Sequence, residues 1–279
     1  MAPELTNPRA ERVLAVRALS GRSPSSASTR RRTGTYLVEG PQAVREAVRF
    51  APERIRDLYL SESAAARYGE IVQDAEAQGL LVRTTSEEVA KAMSPDAQGV
   101  LAVLESVPLR LPEVLAASSP RLVAVLSRVR DPGNAGTVIR AADAAGAELV
   151  VVTAESVDVL SPKVVRSGAG SHFHVPVVAG VELSEAAPLL RAAGLTILAA
   201  DGHGRSDLDE LADLAGQGGE IDLASPTAWV FGNEAWGLPD EDLALTDAAV
   251  RVPIRGRAES LNLATAAAVC LFASARAQR

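Results

Sequence analysis

Apolar positions along the chain fall into short runs set between stretches of helical spacing. From Tyr36 onward the pattern alternates: YLVEG reads as a strand and residues 41–50 as a helix with Pro41 in its first turn. Residues 55–60 read as a strand, 63–78 as a helix closed by Gly79, and 80–83 as a strand. Ser86 opens a capped helix, and a strand follows over 99–104. Ahead of this unit, residues 8–19 read as a helix and the Ser-rich 21–28 as a flexible loop. In the second half, strands are expected at 122–126, 149–153, 174–178, 196–200, 228–231 and 249–254. Helices are expected between them at 134–145, about 163–168, 184–193 and 207–214. Several of these strands are continuous apolar runs, as a parallel sheet buried on both faces requires. The fold class is therefore α/β.

Residues 111–120 (LPEVLAASSP) begin no clear element, so the boundary is placed there. The division is 1–110 as a smaller N-terminal α/β domain, 111–120 as linker and 121–279 as the main domain. The stretch RVPIRGRAESLNLATAAAVCLF at 251–272 is the most unusual. A strand end leads through a loop with Arg251, Arg255 and Arg257 to Ser260-Leu261-Asn262, residue types that cap helices. The helix that follows is Ala-rich and apolar on every face, and is expected to be buried all round.

Composition narrows the function. The single cysteine, Cys270, excludes an internal disulfide and a cysteine-based zinc site, and His172, His174 and His203 show no ligand spacing, so no metal is expected. No signal peptide or membrane span is read, which points to a cytoplasmic protein. The net charge is −7, yet residues 1–35 carry seven arginines against Glu4 and Glu11. Nucleic-acid contact must then be local, through clusters such as Arg30-Arg31-Arg32, read as phosphate-binding on a mobile arm.

Ligands of open α/β sheets sit beside the carboxyl ends of strands. Three such ends are polar here. Asp131-Pro132-Gly133-Asn134-Ala135-Gly136 reads as a tight turn with open backbone N–H groups, a candidate anion seat. Arg140, six residues after Asn134, points about 240° away on a helix and needs a partner, with Asp143 one candidate. FGNEAWGLP, 231–239, places Glu234 among glycines and an amide. The third is the Ser260 and Asn262 entrance. The glycine pairs at 168–170 and 202–204 are weak signals. No phosphate loop, dinucleotide fingerprint or nucleophile elbow is present.

These loops resemble, in order, the three motifs of the SpoU/TrmH family of RNA ribose 2′-O-methyltransferases in the SPOUT superfamily. NAGTVIRAADAAGA, FGNEAWGLP and VPIRGRAESLNLATAAA carry the resemblance. KVVRSGAGSHFHVPV is also similar, with Arg166 at a position used for substrate RNA. Residues 9–105 resemble the family's N-terminal substrate-binding domain, with 23–28 as an insertion. The resemblance implies a trefoil-knotted, mostly parallel sheet that binds S-adenosyl-L-methionine, in an obligate homodimer. Gly232, Val252 and Leu261 would hold the cofactor, with the strand end at 198–201 lining the pocket. Arg140 would reach the other subunit's site and act on the ribose hydroxyl, while Asn134, Glu234, Ser260 and Asn262 would order the loops. The last helix would supply dimer contact. The implied substrate is large-subunit rRNA, including the antibiotic-resistance type. The alternatives are tRNA, or RNA binding with a vestigial cofactor site.

Overall fold

The computed structural model describes residues 4–21, 23–233 and 236–279. The chain divides into two compact units. The first comprises residues 1–107 and 158–174, the second 108–157 and 175–279. The first unit begins with α1 (Glu11–Ser20), α2 (Pro24–Thr33), β1 (Thr35–Glu39), α3 (Pro41–Phe50) and β2 (Ile55–Ser61). It continues with α4 (Glu62–Arg67), α5 (Gly69–Ala77), β3 (Val82–Thr85), α6 (Glu87–Met93) and β4 (Val100–Glu105). Its sheet runs β1-β4-β2-β3, antiparallel except for the parallel pair β2 and β3.

Next along the chain come α7 (Leu111–Ser118), β5 (Leu122–Leu126), α8 (Pro132–Ala145), β6 (Leu149–Thr153) and α9 (Pro162–Ser167), the last of these in the first unit. The second unit resumes with β7 (Val177–Val181), α10 (Leu183–Ala192), β8 (Thr196–Ala200), β9 (Ser206–Asp207) and α11 (Leu208–Asp213). It ends with β10 (Thr227–Phe231), α12 (Asp240–Leu243), β11 (Ala248–Arg251) and α13 (Leu263–Ala277). Seven strands form a parallel sheet in the order β7-β6-β5-β10-β8-β11-β9. The central strands β5 and β10 are buried at every position, which is why their sequences read as unbroken apolar runs. The register pairs Phe231 with both Leu126 and Ala200, and Val250 with Ala200. The carboxyl ends of β5, β10, β8 and β11 therefore lie together, and their loops share one edge.

Several expectations are corrected. The Ser-rich loop is helix α2: Ser23 caps it, Pro24 opens it and Gly34, at φ +63°, ends it. The expected linker holds helix α7, whose Leu111 and Leu115 pack into the core under the large sheet. Residues 158–174 leave the second half for the first unit, because Val165 joins the cluster of Tyr36, Val38 and Val44. The helix expected at 63–78 breaks at Tyr68, the strand expected at 174–178 is shifted to β7, and Asp207 pairs in β9 before α11 begins. The last helix is not buried all round, since Val269 and Phe272 are exposed.

Glycines at the weak pairs have packing reasons. A Cβ on Gly168 would lie 2.7 Å from His172 Nδ1, and one on Gly204 would lie 2.6 Å from the Ala249 backbone. The ring nitrogens of His172 are buried, and burial pushes its pKa down to about 4.

Candidate active site

The edge loops of the second unit enclose a cleft of about 1220 Å³. The loop after β10 is closed on itself, because Asn233 N–H donates to Gly237 O and Gly237 N–H to Asn233 O, both at 2.9 Å. Gly237 takes φ +70°, and a Cβ on Gly232 would stand 2.5 Å from the Gly237 carbonyl carbon. Only glycine fits at 232. Asn233 Nδ2 donates to the Arg128 carbonyl at 2.9 Å, which ties the loop after β10 to the loop after β5. Arg128 itself takes φ +55°, and its guanidinium sits among Glu155, Glu241 and Asp242.

Asp131 caps α8 by accepting from Asn134 N–H at 2.8 Å. The expected anion seat is thus the first turn of a helix, with one of its N–H groups already bonded to a carboxylate. Asn262 caps α13, its Oδ1 accepting from the N–H groups of Ala264 and Thr265. The same side chain donates from Nδ2 to Asn134 Oδ1 at 3.1 Å. One amide therefore joins the entrances of two helices that pack against each other. The arginines of the preceding loop are partly engaged, Arg251 with Asp207 at 3.1 Å and Arg255 with Asp209 at 2.7 Å. Cys270 is fully buried in α13, and burial pushes its thiol up to about 12, which excludes a nucleophile.

Gly232, Val252 and Leu261 all line the cleft, as do Ser260, Asn262, Ala200 and Asp201. Asn134 reaches this group through Asn262. Glu234 lies outside the described residues. Arg140 does not line the cleft; it is exposed on α8 and has no ion-pair partner among the described residues, so the pair with Asp143 is not formed. Among the described residues no group of acids, histidines and cysteines could hold a metal ion, and no helix is long and apolar enough to cross a membrane.

Residues 121–272, which include every one of these loops, match the model of the SpoU rRNA Methylase family. The chain belongs to the SpoU family. Residues 37–109 match the model described as RNA 2′-O ribose methyltransferase substrate binding. A Bacillus subtilis relative, the 23S rRNA (guanosine(2553)-2′-O)-methyltransferase RlmP, is 33% identical over 87% of this chain and 89% of its own. The tRNA (guanosine(18)-2′-O)-methyltransferase of Thermus thermophilus is 35% identical but covers 60% of this chain and 80% of its own. A crystal structure of an AdoMet-bound rRNA methyltransferase from Sinorhizobium meliloti aligns with a TM-score of 0.79 and 30% identity, over 98% of this chain and 97% of that one.

Geometry places two of the arginines expected at RNA in ion pairs within the first unit. Arg30 is 4% exposed, paired with Asp158 at 2.7 Å and donating to the carbonyls of Leu19 and Gly21. Arg166 is held by the buried Glu39 and by Asp96. Arg30 is thereby buried, Arg166 keeps 31% of its side chain exposed, and Arg31 and Arg32 are exposed. Sequence reasoning missed Arg128 and Asn233 as the residues that lock the cleft loops together. The Asn of FGNEAWGLP was a visible signal, but its partner is a backbone carbonyl 105 residues away.

Proposed function

We infer that this SpoU-family chain is an S-adenosyl-L-methionine-dependent RNA ribose 2′-O-methyltransferase acting on large-subunit rRNA in the cytoplasm. The observation that carries the reading is the cleft, in which Gly232, Val252, Leu261, Ser260 and Asn262 converge from loops far apart in sequence. The cleft fits the cofactor. Its wall combines glycines and aliphatic side chains such as Val252 and Leu261, suited to an adenosyl group, with polar groups such as Asp201 and Asn262, and Gly232 has no room for a side chain. When bound there, the cofactor supplies a methyl group on a positively charged sulfur.

The protein's part is positioning and charge. Asn262 and Asn134 fix the entrances of α13 and α8, and Ser260 stands at the mouth with a free hydroxyl group's chemistry to orient a ribose. Because a guanidinium is a fixed cation, Arg140 acts by stabilising the hydroxyl oxygen as its proton leaves, or by holding the neighbouring phosphate. Since Arg140 lies outside the cleft of its own chain, a second copy brings it to the site. The exposed Val269 and Phe272 on α13, an otherwise apolar helix, support a dimer that covers them. Ribosomal RNA is favoured over tRNA because the rRNA-modifying relative aligns across both units, including the substrate-binding region.

Subunit mixing tests the reading. Arg140→Ala keeps an intact cleft, and Gly232→Val keeps Arg140 but blocks the cleft. Each homodimer is expected to be inactive on 23S rRNA with labelled cofactor, and co-refolded mixtures are expected to recover activity. Failure of mixed dimers to exceed either parent overturns the shared site. Loss of all labelling by the wild-type protein on rRNA, with labelling of tRNA instead, overturns the substrate.

A further inference from the structure

The chain has two tryptophans, and they are used in opposite ways. Trp229 is fully buried in β10, with Nε1 donating to Ser274 Oγ at 2.9 Å. Trp236, seven residues on, is 59% exposed and lines the cleft. An indole left in water forgoes a large apolar burial. Local chain geometry explains its position, because Trp236 lies within the turn closed by the paired bonds of Asn233 and Gly237. The turn is further anchored by Asn233 on the Arg128 carbonyl.

A cation is already placed against this ring. The guanidinium carbon of Arg130 lies 5.5 Å from the Trp236 ring centroid. Arg130 is exposed, with no ion-pair partner among the described residues. It follows β5 as Trp236 follows β10, and those strands are paired with Leu126 beside Phe231. Ring and guanidinium therefore rise from the same sheet edge as the cleft.

We propose that Trp236 and Arg130 form a stacking platform for an unpaired nucleobase of the RNA, next to the nucleotide whose ribose enters the cleft. This rests on the reading of the protein as an RNA methyltransferase, and it deepens that reading by naming the substrate's form: a single-stranded or looped segment with an unstacked base. An aromatic face accepts any base, and an adjacent arginine adds a phosphate contact, the combination that binds single-stranded RNA. A continuous duplex keeps its bases stacked on one another and offers none to the ring.

Because Trp229 is inside the core, quenching of intrinsic fluorescence at the surface reports Trp236 alone. The test titrates the full-length protein with a mixed-sequence single-stranded oligoribonucleotide, with an RNA duplex of the same length and with S-adenosylhomocysteine. The single strand is expected to quench, the duplex to quench much less, and Trp236→Phe to lose the quenchable component. Trp236→Ala is expected to raise KM for 23S rRNA about 5- to 100-fold, with kcat changed less than about twofold and Trp236→Phe recovering most of the loss. Methyl transfer by the wild-type protein to rRNA is measured in parallel. Transfer with no quenching by single-stranded RNA, or with an unchanged KM in Trp236→Ala, overturns the platform alone. Quenching by S-adenosylhomocysteine with no further change on adding single-stranded RNA overturns it in favour of a cofactor contact alone. Absence of transfer to any RNA overturns the underlying reading, and the platform with it.

Discussion

In the first unit Arg30 is buried against Asp158, and Arg166, partly exposed, pairs with Glu39 and Asp96. In the second unit Arg130 and Arg140 stand in solvent, one over an indole ring and the other with no ion-pair partner among the described residues. In the sequence the triple arginine beside a Ser-rich segment reads as a solvated or phosphate-binding cluster, and Arg140 amid Ala and Ile as a charge that needs either a local partner or the other subunit's site. The difference lies in carboxylates that are distant along the chain. Asp158 is 128 residues from Arg30, and Glu39 is 127 from Arg166. Which arginines are tied into ion pairs is decided by those long-range partners, which no local pattern reveals.

The contrast is broken most directly at Arg140. Arg140→Ala is expected to lower kcat on rRNA on the order of 10³-fold, while calorimetry shows cofactor affinity within about twofold of wild type. A variant that turns over normally would place Arg140 with the structural arginines. Arg30→Ala makes the opposite claim. It is expected to cost about 3 kcal/mol in urea unfolding, because it leaves a carboxylate and two carbonyls without their donor. Its RNA affinity when folded is expected to match wild type, and weakened RNA binding at unchanged stability would restore the phosphate-binding assignment.

His172 sharpens the picture of the first unit as a structural body. Its folded pKa is near 4, below the ordinary 6.5, so the neutral ring is the form the fold accepts. As pH falls below about 6.5 the unfolded chain takes up the proton first, and stability declines until the folded pKa is passed. The expected loss between pH 6.5 and pH 4 is a few kcal/mol in denaturant unfolding, and it should be largely absent in His172→Phe. The same slope in both proteins would assign it to other groups. The smallest effect belongs to Arg31 and Arg32. Replacing both with alanine is expected to weaken RNA binding severalfold and to flatten its salt dependence by about one and a half to two counterions. An unaltered salt slope would remove the arm from the interface.

The large sheet was legible because its strands are short apolar runs of uniform burial, and the Asn262 cap because Asn before an Ala-rich run has one common use. The signals for α2 were also present, Ser23, Pro24 and Gly34 in the right order, but a polar interior outweighed them. Helix α7 was obscured by its two serines and flanking prolines, although Leu111 and Leu115 sit one turn apart. The transfer of residues 158–174 to the first unit was not legible. Val164 and Val165 announce a buried helix but not which core receives it. Likewise Ser260, Asn262 and Asn134 could be ranked as polar oddities, while the amide bond joining two of them depends on α8 and α13 being packed side by side.

The amide of Asn262 that caps α13 also holds Asn134, and much of the cleft wall comes from residues 250–266. A ribosome making this protein therefore completes the large sheet's first strands long before any binding site exists. Methyl-donor capture has to wait until the tail of the chain has emerged and its final helix has seated. A chain cut before residue 250 lacks both that wall and the bond from Asn262 to Asn134.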